Sequence, residues 1–264
     1  MIEELSLDCA RERRRLVAFV RDQLSEAGYA RAVVGLSGGV DSSLVAALCA
    51  EALGPRNVLD MIMPYESSDP RSEEHARLVI EKFGLSYERF DITAMVRPLV
   101  ERYPELDAEG GVRKGNIMAR CRMIVLYDQS ERFGGLVVGT SNRTETLLGY
   151  FTLHGDGAAA IKPIGHLFKC QVRALARHMG VPEQVIAKPP SADLWAGQTD
   201  EGELGFSYDQ ADQILYLLTE RHVGPQEIAA GGFDLGVVEA VRRRVEATAF
   251  ERSPAPVPSS AAIL

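Results

Sequence analysis

Gly35-Leu36-Ser37-Gly38-Gly39-Val40-Asp41-Ser42-Ser43 follows the apolar run Ala32-Val33-Val34 and leads into an alanine-rich stretch from Ser42 to Leu53. The run is short and continuous, which predicts a buried strand, and the stretch after it predicts a buried helix ended at Gly54-Pro55. Small residues between a parallel strand and a helix let backbone N–H groups approach an anion, and the helix N-terminus adds a favourable dipole. The string therefore reads as a phosphate-binding loop. An ordinary P-loop would end in Gly-Lys-Ser/Thr, which is absent here, and an acid stands at Asp41 instead. Such a loop suits released pyrophosphate together with Mg2+, with Asp41 reaching the metal. Caps on a helix after a glycine turn would explain Ser37 or Asp41 singly, but not the whole nine-residue string.

Outward from the loop, the strand-helix unit repeats. Asn57 to Met63 predicts a strand, Ser72 to Phe83 a helix ended by Gly84, and Tyr87 to Ile92 a third strand. Upstream, Leu7, Ala10, Leu16, Phe19, Val20 and Leu24 recur near helical spacing and predict an amphipathic helix within residues 4–27. Residues 103–115, YPELDAEGGVRKG, carry a proline, three glycines and no period, so a loop is expected before a long helix from Asn116 to Arg132. Leu136-Val137-Val138 predicts a fourth strand, and further helices are expected at 168–179, 208–220 and 234–249. Residues 188–206, KPPSADLWAGQTDEGELGF, are too rich in Pro, Gly and acids for a core element and read as a lid. The segment from Ser253, SPAPVPSSAAIL, reads as a frayed tail. Strands alternating with helices predict an α/β fold, a doubly wound and mostly parallel sheet with helices on both faces, in a single domain over 1–264.

Composition narrows the function classes. The 264 residues are 46% hydrophobic and 25% charged, which suits one soluble domain with a sizeable core. With 29 basic and 37 acidic residues the formal charge is −8, which argues against nucleic acid as a partner. Cys9, Cys49, Cys121 and Cys170 form no CxxC pair, so reduced thiols are expected rather than a zinc site or a disulfide framework. The N-terminus lacks an export signal and no 18-residue apolar run occurs, so a cytoplasmic location without a membrane partner is expected.

SGGVDSS resembles the pyrophosphatase loop of the N-type ATP pyrophosphatases, a family that cleaves ATP between the α and β phosphates to adenylate a substrate. Three later strings narrow the resemblance. They are Asn116-Ile117-Met118-Ala119-Arg120-Cys121-Arg122-Met123, Gly139-Thr140-Ser141-Asn142-Arg143-Thr144-Glu145, and Pro190-Ser191-Ala192-Asp193-Leu194 with Gln198-Thr199-Asp200-Glu201. Each is similar to a signature of the ammonia-dependent NAD synthetases, in the same order, from the glycine loop to about residue 210.

The resemblance implies an adenine nucleotide alpha-hydrolase-like fold. It implies ATP-dependent amidation of deamido-NAD to NAD by ammonia through a carboxyl-adenylate, with ATP as co-substrate, Mg2+ as cofactor and a homodimer as the assembly. It places ATP contacts at Gly35, Leu36, Ser37, Gly38, Gly39, Val40, Asp41, Ser42, Thr140, Lys169 and Ser191. Asp41 and Glu145 would hold the metal, and Asn116, Arg120 and Tyr150 the dinucleotide, with Arg120 reaching across a dimer interface. Asp156 would stand beside the incoming ammonia as a proton acceptor, and Lys169 would act on the phosphates.

The residues themselves carry part of this. Thr140 lies just past a strand's carboxyl end, where open α/β sheets bind ligands. Glu145 starts a helix, which equally suits an acid favoured by the helix dipole. Arg120 is one turn from Asn116 and shares its face, whereas Arg122 points elsewhere and reads as structural. Gly155-Asp156-Gly157 is also a turn pattern, Tyr150 and Phe151 are also core candidates, and a lone lysine opening a helix is ordinarily solvated.

Departures from the family pattern stand at Leu153 and Ala160, where many members carry lysine and aspartate, and at Phe250-Glu251, where they carry a His-Lys pair. Those positions are associated with deamido-NAD recognition. A relative that amidates a different carboxylate is therefore the alternative. The chain before residue 31 has no room for a glutamine amidohydrolase domain, which implies free ammonia or ammonia delivered by a separate protein.

Overall fold

A strand that is apolar on both sides has to lie inside a sheet covered on both faces, while a polar strand is tolerated at its edge. The computed structural model, which describes residues 2–108, 111–191 and 199–258, arranges the strands in that way. Strands β1 (Ala32–Gly35), β2 (Val58–Ile62), β3 (Ser86–Arg89) and β4 (Leu136–Val138) pair all-parallel in the order β3-β2-β1-β4. Buried β1 and β2 are central, and β3, exposed at all four residues, is an edge. A parallel bridge from Val138 to Ile161 extends the pairing beyond β4.

In chain order the helices among the described residues are α1 (Cys9–Glu26), α2 (Val40–Leu53), α3 (Pro70–Phe83), α4 (Thr93–Arg102), α5 (Glu105–Ala108), α6 (Val112–Phe133), α7 (Arg143–Leu148), α8 (Lys169–Met179), α9 (Glu183–Ile186), α10 (Asp200–Leu204), α11 (Tyr208–Thr219), α12 (Pro225–Ala230) and α13 (Leu235–Ala247). Alternation along the strands sends Ala32, Val34, Val58 and Ile62 to a core shared with α1, α2, α3 and α8. It sends Val33, Leu59 and Met61 to the opposite face, against Val96 of α4 and Met118, Cys121 and Val125 of α6. A further core joins Leu148, Phe168, Tyr208, Ile214, Leu215, Val238 and Val241, which ties α7 and the start of α8 to α11 and α13. The expected doubly wound α/β architecture is present.

Several local expectations need correction. Residues 103–115 are not a loop throughout: α5 occupies part of them and α6 begins at Val112 rather than Asn116. Gly111, at φ 80°, makes the left-handed turn before α6, and Gly115 lies buried inside that helix, where packing outweighs glycine's poor helix propensity. Residues 188–206 are not wholly without core structure either. Thr199 caps α10 by accepting from the Gly202 N–H at 3.2 Å, and Asp200, Leu204 and Phe206 are buried. The acids that made this stretch look like a loop sit in the first turn of α10, where the helix dipole favours them. Residues 192–198, with Asp193, Leu194 and Gln198 of the quoted signature, lie outside the described residues, as do 259–264 of the tail. The third strand starts at Ser86 and ends at Arg89, although Phe90 and Ile92 still donate to the carbonyls of Ile62 and Pro64. Helices α4, α9 and α12 had no assignment from the sequence; α4 even contains Pro98.

Candidate active site

After β1 the chain moves outward to β2 and β3, then crosses back to place β4 on the other side of β1. The turns leaving the carboxyl ends of β1 and β4 therefore diverge around a crevice, the usual ligand position in open α/β sheets. A cavity of about 890 Å³ opens there. Its wall includes Gly35, Leu36, Ser37, Gly39, Val40, Asp41 and Ser42 of the glycine loop, Thr140 and Glu145 after β4, and Asn116, Tyr150, Asp156, Lys169 and Ser191. Gly38 and Arg120, also singled out in the sequence, are not part of this wall.

Gly38 instead lets the loop pass the N-terminal turn of α3. It has φ +74°, and a Cβ there would stand 2.0 Å from the Ser72 carbonyl oxygen. The loop is braced from within: Ser37 Oγ and Ser42 Oγ are 3.0 Å apart, and Ser43 Oγ donates to the Gly39 carbonyl at 2.7 Å. No side chain caps α2, so its first-turn N–H groups remain available to an anion.

Beyond the loop, three charges converge. Lys169, only 2% exposed at the start of α8, donates from Nζ to Asp41 Oδ2 at 2.6 Å and to Glu145 Oε1 at 2.8 Å. It is therefore no solvated lysine. Asn142 donates from Nδ2 to Asp41 Oδ1 at 2.8 Å, and it forms a capping box with Glu145 at the start of α7. Glu145 thus satisfies both readings of its position: Oε2 caps the helix while Oε1 faces the ammonium. Burial raises the Glu145 pKa, the charge of Asp41 raises it further, and Lys169 opposes both. For Lys169, burial works against the charge, but Asp41 and Glu145 outweigh it and the net shift is upward.

Carboxylates from the helices that follow β1 and β4, Asp41 of α2 and Glu145 of α7, meet on a single cation and form a donor set of hard oxygens, the kind Mg2+ takes. Two carboxylates do not complete an octahedral shell. Among the described residues no cluster of three His, Cys, Asp or Glu could hold a metal, so phosphate oxygens would have to supply the remainder. On those terms Asp41 and Glu145 fit a Mg-nucleotide.

The support for this centre was not visible in the sequence. Asp212 of α11, fully buried, accepts from Thr144 Oγ1 at 2.6 Å and from the Cys170 N–H at 2.7 Å, while Thr144 Oγ1 also accepts from the Lys169 N–H at 3.0 Å. One carboxylate thereby ties together the neighbours of Glu145 and of Lys169. The ring of Tyr208 lies 5.0 Å from Lys169 Nζ, and its hydroxyl donates to Asp200 Oδ2 at 2.9 Å. No local pattern in YDQADQILYLL distinguishes Asp212 from an ordinary polar helix residue.

Beside this centre, Tyr150 donates its N–H to the Glu145 carbonyl at 2.8 Å and its hydroxyl to Glu203 Oε2 at 2.5 Å, and burial, then the nearby acids Asp200 and Glu203, raises its pKa. Asp156 accepts the Thr152 N–H at 2.8 Å. Its carboxylate is reached by solvent yet surrounded by protein, and this enclosure raises its pKa against the pull of that hydrogen bond. Asn116 and Arg120 share a face as expected: Asn116 Oδ1 accepts from Thr152 Oγ1 at 2.7 Å, and Arg120 donates to the Leu153 carbonyl at 3.2 and 3.3 Å. Arg122 does point elsewhere, to the Met63 carbonyl at 3.0 Å, but it lines the cavity while Arg120 does not. Leu153, Ala160, Phe250 and Glu251 all lie off the cavity wall.

A family model described as NAD synthase matches residues 12–255. The NH(3)-dependent NAD(+) synthetase of Trichlorobacter lovleyi is 48% identical over 251 residues, covering 95% of this chain and 91% of that protein. Among solved structures, the NMN synthetase from Francisella tularensis is similar with a TM-score of 0.84 at 29% identity, over 96% of this chain and 99% of that one. The NH3-dependent NAD synthetase from Campylobacter jejuni, determined with a nitrate ion, gives 0.81 at 29% identity, over 96% and 100%.

Proposed function

The chain belongs to the NAD synthase family, and from that premise we propose that its cavity amidates deamido-NAD with ammonia at the expense of ATP, releasing NAD, AMP and pyrophosphate. The observation that carries this reading is the Lys169 ammonium held between Asp41 and Glu145 at the mouth of an uncapped glycine loop. A nicotinate carboxylate oxygen attacks the α-phosphorus, the bond from that phosphorus to the bridging oxygen breaks, and pyrophosphate leaves into the loop of Ser37 to Ser42. Loop N–H groups and Lys169 take up the charge that develops on the departing phosphates. Mg2+, when bound through Asp41 and Glu145, would neutralise phosphate charge and strengthen AMP and pyrophosphate as leaving groups. Ammonia then attacks the carbonyl carbon of the adenylate, the bond to AMP breaks, and Asp156 accepts the released proton. Tyr150 flanks the nicotinate ring, while Thr140 and Ser191 contact ATP. Lys188, Pro189, Pro190 and Ser191 line the cavity just before α10 and so help screen a water-sensitive adenylate from solvent.

The same reading includes a homodimer. Arg120 lies off its own chain's cavity, and Ile124 and Tyr127, at 54% and 40% exposure, continue its face of α6 at helical spacing. An apolar stripe beside an exposed guanidinium, held by the Leu153 carbonyl through Nε and Nη2, suits a two-fold contact through which Arg120 serves the partner's cavity. Four free cysteines fit a reducing cytoplasm, and among the described residues no helix is long and apolar enough to cross a membrane.

The test is an assay with ATP, Mg2+, ammonium and deamido-NAD that follows NAD, AMP and pyrophosphate together. Equal yields of the three, lost in Asp41→Ala, support the reading; no ATP turnover sinks it. A second reading takes nicotinate mononucleotide as the acid. The changes at Leu153, Ala160 and Phe250-Glu251 and the likeness to the Francisella protein favour it, and a higher kcat/KM for that acid in the same assay would establish it.

A further inference from the structure

Helix α13 contributes one residue to the cavity wall. Gly149, at φ +63°, makes the turn that delivers Tyr150, and a Cβ there would stand 2.1 Å from Thr248 Cγ2, so the end of α13 is pressed against this turn. One turn before Thr248, Arg244 lines the cavity. Its Nε donates to the Leu148 carbonyl at 3.2 Å, and among the described residues its guanidinium forms no ion pair, unlike that of Arg242 two positions earlier, which pairs with Glu239 and Glu246.

The other cations of the wall have partners of their own, two of them carboxylate-paired and two bonded to neutral oxygens. Arg89 pairs with Glu73 at 3.1 Å, Lys169 with Asp41 and Glu145, Lys188 donates to Ser72 Oγ at 2.8 Å, and Arg122 donates to the Met63 carbonyl. Nor is the whole Arg244 fork spent on capping α7, because Arg252 already donates to the neighbouring Leu147 carbonyl at 3.0 Å. A half-buried arginine that lines a cavity and has no carboxylate paired with it among the described residues is a site for a phosphate, which matches its planar fork.

We propose that Arg244 binds a phosphate of the nicotinate nucleotide, the one nearest the nicotinate riboside. The proposal rests on the functional reading above. Arg244 would then fix where the nicotinate carboxylate sits relative to the ATP loop, while ATP is held by different residues.

Arg244→Gln removes the charge and keeps an N–H for Leu148, and Arg244→Lys keeps the charge without the fork. Binding of deamido-NAD, nicotinate mononucleotide and the phosphate-free riboside is measured by calorimetry without ATP, beside KM for each substrate. Arg244→Gln is expected to weaken both phosphate-bearing ligands about 10- to 100-fold, leave the riboside and the KM for ATP within about twofold, and be partly rescued by Arg244→Lys. Unchanged binding of both nucleotides by Arg244→Gln overturns the proposal alone. An ATP KM that rises in step with a lower melting temperature overturns it too, by assigning Arg244 to holding α7. Wild-type protein that binds neither nucleotide overturns both this proposal and the functional reading.

Discussion

An ammonium at 2% exposure is sustained at Lys169 because Asp41 and Glu145 each accept from it, so the charges are interdependent. Lys169→Met keeps the length of the side chain and leaves two carboxylates facing each other. NAD formation is expected to fall by a factor of about 100 or more, with folded protein retained by circular dichroism; a variant of wild-type activity would remove Lys169 from the chemistry. Asp60 is a second buried charge site, without such partners. It is 0% exposed in β2, faces the α2 side near Cys49, and neither of its oxygens has a hydrogen bond among the described residues. Burial pushes its carboxyl up to about 8. Unfolded, the group loses its proton near pH ~4. Between those values the folded chain holds one more proton, so Asp60 lowers stability as pH rises, by about 1.4 kcal/mol per pH unit, and the loss levels off above the folded value. Urea titrations of Asp60→Asn are expected to gain on the wild type by that slope from pH 5 to 7.5, and parallel curves would contradict it. Neither environment was legible locally: a lysine opening a helix and an aspartate in an apolar run look alike whether buried or wet.

At the scale of elements, the strand, glycine loop and helix from Ala32 to Leu53 were readable because apolar runs, glycines and alanines there agree with one another. Helix α10 was not, since its acids and glycine resemble a loop until Leu204 and Phe206 are seen to pack. The clamp of α7 and α8 on α11 is a purely tertiary device. In Asp212→Asn one of the two groups it serves, Thr144 Oγ1 or the Cys170 N–H, loses a charged acceptor, and a destabilisation of about 1–3 kcal/mol is expected. Because those groups flank Glu145 and Lys169, the KM for Mg-ATP is expected to rise while that for deamido-NAD holds. Steady-state kinetics on the folded fraction decide this; equal rises in both constants would make Asp212 a general stability residue.

At the scale of the molecule, the proposed homodimer would make the exposed face of α6 a link between assembly and catalysis. Ile124→Glu is expected to shift the protein from dimer to monomer in sedimentation velocity and to weaken deamido-NAD binding, since Arg120 would lose the cavity it serves, while ATP binding stays near wild type. A monomeric variant with full activity would confine catalysis to one chain. The sequence by itself determined the alternation of strands and helices and the phosphate loop, together with the motifs shared with a known family. Those signals are local, since a few adjacent residues set a backbone shape or a side-chain period. Tertiary structure alone decided that Asp41, Asn142, Glu145 and Lys169 meet, that Asp212 supports them, that Arg244 rather than Arg120 lines the cavity, and that Asp60 is sealed from water. Each of these depends on the reversal of strand order at β1 and on the docking of α11 and α13, contacts between residues up to 128 positions apart that no window of sequence contains.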